Sequence, residues 1–227
     1  MRTVWRRCAP TCIMPSEARR WLSWVGAGVA ARSVSHGATL LVMLAAARSL
    51  SPSAMGAYVL ATVVVALVML LLYSGVYEYL LRADPQALHA DAGFTVLLCI
   101  GLPMALLMGG GAGLTARLFH SPELAGLLRA FAVIPLAGCL SAWREALLLR
   151  DSSRLHHYNA IIVLRDLACL GLGWGLLAAG WGLGALVAYR IGVALAGAVL
   201  MRLAVPRSPR LDLDAARWRA VLSYGGG

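Results

Sequence analysis

Six apolar runs set the terms for this chain, at about Trp21 to Ala47, Ala54 to Leu81, Ala92 to Leu114, Leu124 to Leu149, Tyr158 to Ala179 and Gly182 to Leu203. Each is near or above the roughly 20 residues that cross a bilayer as a helix. Hydrocarbon offers the backbone no hydrogen-bond partners, so runs of this kind insert as helices that satisfy themselves. The expectation is an all-α, polytopic membrane protein with six transmembrane helices. Hydrophobic residues make up 60% of the 227, against about 45–50% in soluble domains. The organisation predicted is an N-terminal segment over 1–20, a six-helix lobe over 21–204, a polar linker over 205–220, and over 221–227 the start of a seventh helix.

The run ends carry helix punctuation. Ser51-Pro52 and Ser121-Pro122 each offer a Ser cap followed by Pro at the first helical position, where a missing N–H does no harm. Gly180-Trp181-Gly182 predicts a tight turn that makes the fifth and sixth helices antiparallel neighbours, with Trp181 at the interface. Pro103 and Pro135 predict kinks in the third and fourth helices. Ala188, Gly192 and Ala196 predict close helix approach, and Gly171, Gly173 and Gly175 a loosened fifth helix.

All 20 basic residues are Arg, giving a net charge of +10. Fourteen lie in the N-terminal segment, the second and fourth connections and the tail; only Arg48, Arg117 and Arg129 fall at the opposite side. The positive-inside rule therefore places both termini in the cytoplasm. The arginines mark run ends and form no stripe, and no nucleic-acid motif is present. Cys8 and Cys12 have no second ligand pair, so no metal is expected. There is no Walker loop, H-E-x-x-H or nucleophile elbow, so neither enzyme chemistry nor a cofactor is expected, and His156-His157 is read as meeting lipid headgroups. Met14 is an alternative start to Met1.

Three arginines break the pattern. Arg32, Arg165 and Arg190 lie inside runs, at an expected depth of about 13–17 Å. Together they cost roughly 8–10 kcal/mol on insertion, which surrounding Leu, Val and Ile offset. In the first helix Gly28, Arg32, Ser35, His36, Thr39 and Met43 share one face, predicted to look into the bundle. That face either pairs internally, Arg32 with a carboxylate, or lines a wet cavity for an anion. Arg165 has Asp166 beside it and suits a local pair as well as a cavity. Buried carboxylates are scarce, so the interior suits a negatively charged substrate, whose phosphate oxygens an Arg fork matches two at a time. The candidate substrate-binding residues are Arg32, His36, Thr39, Arg165 and Arg190. His36 is also a candidate for coupling to protons near neutral pH.

Arg48, Leu50, Pro52, Gly56 and Tyr58 form the pattern A-R-x-L-x-P-x-x-x-G-x-Y, followed by Gly75, Leu80 and Arg82 in G-x-x-x-x-L-x-R. This stretch resembles the Wzx-type oligosaccharide flippases and related lipopolysaccharide and exopolysaccharide biosynthesis membrane proteins. "LFHSPELAGLLRAFAVIPLAGCLSAWREALLLR" and "PRLDLDAARWRAVLSYGG" are similar to that family's fourth helix and its link into the seventh. The resemblance implies one lobe of a two-lobed exporter of the multidrug/oligosaccharidyl-lipid/polysaccharide superfamily. Its implied cargo is undecaprenyl-diphosphate-linked oligosaccharide for O-antigen, capsule or exopolysaccharide. The other lobe would come from a longer chain, a second polypeptide or a second copy. A cation-coupled multidrug exporter and a non-functional fragment are the alternatives.

Overall fold

The computed structural model describes residues 15–73, 75–83, 89–150 and 154–224, without the side chains of 15–25, 27, 223 and 224. Cys8, Cys12 and most of the N-terminal segment lie outside the described residues. The described residues are helical or connecting, in the order α1 (Pro15–Ser49), α2 (Pro52–Tyr73), α3 (Val76–Arg82), α4 (Ala90–Gly110), α5 (Ala112–Leu118), α6 (Pro122–Phe131), α7 (Val133–Leu149), α8 (Leu155–Ala178), α9 (Leu183–Ala204) and α10 (Ala215–Tyr224). Six stretches are long and apolar enough to span a membrane: Gly28–Ser49 of α1, then α2, α4, Pro122–Leu149 across α6 and α7, α8 and α9. They coincide with the six runs read from the sequence.

The punctuation acts where the chemistry requires it. The Ser51 hydroxyl accepts from the Ala54 N–H at 3.3 Å, capping α2; Ser121 occupies the equivalent place at α6 in an extended conformation but makes no side-chain cap. At the end of α8 the Trp181 N–H reaches the Leu176 carbonyl and the Gly180 N–H that of Leu177. This double bond pattern, with Gly180 at φ +79°, stops the helix in a left-handed turn, and α9 returns antiparallel to α8.

Three runs are interrupted, the third at Gly111, between α4 and α5. The fourth breaks between Phe131 and Val133, because the Pro135 ring clashes with the carbonyl four residues earlier, at Phe131. α4, by contrast, continues through Pro103. The second run ends at Tyr73 and resumes as α3 after Gly75, whose φ of +71° disfavours any residue with a Cβ. Hydropathy is blind to these breaks, since none changes the apolar content.

Packing divides the lobe into two large adjoining cores and a small one of Leu148, Tyr158 and Met201. In one, Tyr58 meets Phe131 edge to face at 6.0 Å, with Val65, Leu128 and Leu186 buried around them. In the other, fully buried Trp143 donates to the Ala90 carbonyl at 2.7 Å and packs on Phe94. Arg150 closes this end by donating to the carbonyls of Leu80 and Ala83. The segment after α9 folds back along α4. Arg207 pairs with Asp91 at 3.3 Å, the Asp212 N–H donates to Thr95 at 3.0 Å, and Val221 of α10 is fully buried. Leu40, Leu67, Leu70, Leu106 and Leu203 stay exposed on the outside, as a lipid-facing surface requires.

Candidate functional site

The site is organised by one buried carboxylate. Asp166 on α8 is 3% exposed, and its two oxygens are claimed from two directions. Ser35 of α1 donates its hydroxyl to Oδ2, and Arg165 donates Nε to Oδ1 at 2.7 Å. One turn along α1, the Thr39 hydroxyl lies 3.1 Å from the Tyr189 hydroxyl of α9 and donates back to the Ser35 carbonyl. Ser35 and Thr39 thus fasten α1 to α8 and α9. Both polar groups would be costly in hydrocarbon without these partners.

Beyond this seam α8 and α9 enclose a cavity of about 150 Å³ with α2 and α7, lined by Arg165, Arg190, Tyr73, Gly138, Ser141 and Gly197 among others. Gly197 makes room for the arginine: a Cβ there would sit 3.4 Å from the Arg165 Cδ and Nη1. Arg190, seven residues into α9, makes no hydrogen bond or ion pair among the described residues. Among the described residues, the only groups on the cavity wall with charge at neutral pH are these two guanidiniums; Asp166 offsets one of them from behind. Arg165 lies about 15 Å from the start of α8 and Arg190 about 10 Å from the start of α9. A cavity of this size with cationic walls holds water or an anion, and two guanidinium forks suit an oxyanion with several oxygens.

A second polar cluster adjoins it. Glu145 of α7 accepts from the Tyr77 hydroxyl at 3.1 Å and from the Tyr158 hydroxyl, both on Oε1. Tyr77 packs edge-on to the cavity residue Tyr73 with ring centroids 5.0 Å apart. The carboxylate is thereby held by phenols beside the cavity wall.

Of the five residues expected at a binding site, Arg165 and Arg190 share the cavity, and Thr39 is joined through Tyr189 to the residue next to Arg190. Arg32 and His36 are exposed. The face of α1 that looks inward is Ala31, Ala38, Val42 and Ala46, and Arg32 stands on its flank, about 6 Å from the Gly28 end of the apolar stretch. Asp166, the one fully buried carboxylate among the described residues, is engaged by Arg165 and Ser35 and not by Arg32. The sequence reading passed over Tyr73, Gly138, Ser141, Glu145 and Tyr158. Spacing was the available signal: Gly138, Ser141 and Glu145, like Arg190, Ala194 and Gly197, fall on one helix face.

A family model described as polysaccharide biosynthesis protein matches residues 45–227. The chain belongs to the polysaccharide biosynthesis protein family. No curated protein and no solved structure matches it. For this polysaccharide biosynthesis protein, the match begins at Ala45 and covers every helix lining the cavity, from α2 to α9. It also takes in the folded-back segment and α10. The A-R-x-L-x-P pattern from Ala47 lies at its start, at the connection between α1 and α2.

Proposed function

We propose that this polysaccharide biosynthesis protein translocates undecaprenyl-diphosphate-linked oligosaccharide from the inner to the outer leaflet of a bacterial inner membrane, working as one lobe of a two-lobed transporter. The observation that carries the reading is Arg190: a guanidinium in the apolar part of a helix, facing a cavity, with no carboxylate of its own among the described residues. A half-buried guanidinium with no counter-charge in an apolar surrounding is costly, and a diphosphate that enters the cavity supplies the missing charge. Arg165, neutralised by Asp166, contributes a pre-oriented fork. Tyr73 and Ser141 offer hydroxyls for sugar or phosphate oxygens, while the lipid tail remains in the bilayer. No bond is made or broken, so the role is transport and not catalysis.

The Arg-rich ends, the tail and both termini then face the cytoplasm. The missing lobe is supplied by the rest of a longer chain, a partner polypeptide or a second copy. A cation-coupled drug exporter fits less well, since the one fully buried carboxylate among the described residues, Asp166, is already engaged by an arginine and a serine, and a guanidinium in the cavity repels cationic drugs.

The test is restoration of surface polysaccharide by the complete gene in a host lacking its own translocator. Arg190→Ala protein, expressed at wild-type level in the membrane, is expected to restore little or none, and Arg190→Lys an intermediate amount. Full restoration by Arg190→Ala would overturn the assignment.

A further inference from the structure

At the end of the bundle opposite the Arg-rich connections, a groove runs between the start of α2 and the turn that joins α5 to α6. It measures about 470 Å³, within the roughly 300–1,000 Å³ of small-molecule sites. Ser53 and Gly56 of α2 line one side; Phe119, His120, Ser121 and Glu123 line the other. Phe119 is 54% exposed, and His120 and Glu123 are exposed with it. A Cβ at Gly56 would meet no atom within 4 Å, so the helix surface is bare there. His120 closes α5 at φ +50°, its N–H on the Arg117 carbonyl and the Ser121 N–H on that of Ala116. Glycine fills such a left-handed cap without strain. A residue with a side chain is strained there, and strain of this kind collects at functional sites. What the chain gains by it is an imidazole in the groove.

We infer that this groove binds a sugar ring of an oligosaccharide, at a place separate from the cationic cavity. An exposed aromatic ring packs against the apolar C–H face of a pyranose, while a carboxylate, an imidazole and two hydroxyls supply acceptors and donors for the hydroxyls around its edge. Among the described residues, the groove wall carries one carboxylate and no guanidinium. It therefore suits a neutral polyhydroxyl ligand and not a phosphate. Membership of a polysaccharide biosynthesis family puts that ligand within the chemistry of the chain. His120 also walls a neighbouring groove of about 490 Å³, so a second ring has room beside the first. The inference rests on the proposed oligosaccharide cargo for the origin of the sugar, and not on the cavity arginines.

The experiment takes the full-length protein in detergent and, as probe, the oligosaccharides that mild acid releases from the lipid-linked pool of cells carrying the gene. These lack lipid and phosphate, so they offer nothing to the cavity arginines. Magnetic saturation passed from protein to sugar protons reports binding, and a titration gives the affinity. Glu123→Gln is expected to weaken it about tenfold, the size of one hydrogen bond to a charged group. Gly56→Leu, which fills the groove and favours the helix, should abolish binding with the melting temperature unchanged or higher. His120→Gly should also melt no lower than wild type while binding more weakly. Pyrophosphate should not displace the sugar. Saturation transfer that is absent, unchanged in Gly56→Leu, or abolished by pyrophosphate would overturn the inference. Transfer retained in a protein that restores no surface polysaccharide would support this site and count against the proposed translocation.

Discussion

Gly197 of α9 stands directly across from Arg165 of α8, so close that a Cβ at 197 would lie 3.4 Å from two atoms of the arginine side chain. That distance is van der Waals contact, and it sorts substitutions by size. Gly197→Ala is expected to fold as well as wild type or slightly better, because Ala gains up to about 1 kcal/mol of helix propensity. Gly197→Leu has no room without moving the guanidinium into the cavity. Thermal unfolding in detergent and polysaccharide restoration should therefore separate, the second variant folding but failing to restore.

Asp166 is the next point of stress. Asp166→Asn leaves Arg165 without its carboxylate, and breaking a buried pair from one side costs about 3 kcal/mol. Ser35→Ala, which removes only a neutral donor to the same carboxylate, should cost about 1–2 kcal/mol. The order of the two melting temperatures checks the assignment of Asp166 as the link between α1 and α8.

Tyr77 and Tyr158 converge on one oxygen of Glu145. Each Tyr→Phe change alone is expected to cost about 1 kcal/mol, since the other phenol still serves the carboxylate. The double change leaves Glu145 without either donor, and its cost should exceed the sum of the singles by at least about 0.5 kcal/mol. A double-mutant cycle on unfolding free energy reads this directly.

Much of this architecture was legible in the sequence, and the part that was not has physical reasons. Apolar length alone reveals a spanning helix, so all six spans were visible. The Arg165–Asp166 pair was visible because its partners are adjacent in the chain. The polar face of α1 was half right: periodicity placed Ser35, Thr39, Arg32 and His36 together, but a helix presents only a narrow stripe to a neighbour, and the small residues Ala31, Ala38 and Ala46 occupy it. Arg32 and His36 fell on its shoulder. The Glu145 cluster was not legible, because nothing local reveals that tyrosines from α3 and α8 meet there. Arg144 was assigned to a connection, yet it is 5% exposed and lies over the Trp143 ring.

The folded-back tail has a pH signature. A hydrogen bond from Arg217, with a second from the Asp214 N–H, holds the Asp212 carboxyl below its usual value of 3.8. A depressed carboxyl stabilises the docked tail above that usual value and loses its contribution as pH falls through the lower, folded one. The protection of amides around Trp218 against exchange, relative to their intrinsic rates, should thus stay flat from neutral pH down to about 4, with the Trp218 indole donating to the Asp212 carbonyl, then fall in stronger acid. Arg217→Gln should shift that fall to higher pH; an unchanged profile would show that Asp212 does not hold the tail.

The proposed function requires that the cationic cavity be reached by water and receive a diphosphate, and Ala194 lines that cavity together with Arg190. In complete protein whose native cysteines are replaced, Ala194→Cys can be labelled with a charged thiol reagent that does not dissolve in lipid. The account predicts that the thiol reacts, and that undecaprenyl diphosphate slows the reaction while undecaprenol, which lacks the phosphates, does not. A thiol that never reacts, or one protected equally by both lipids, would contradict it.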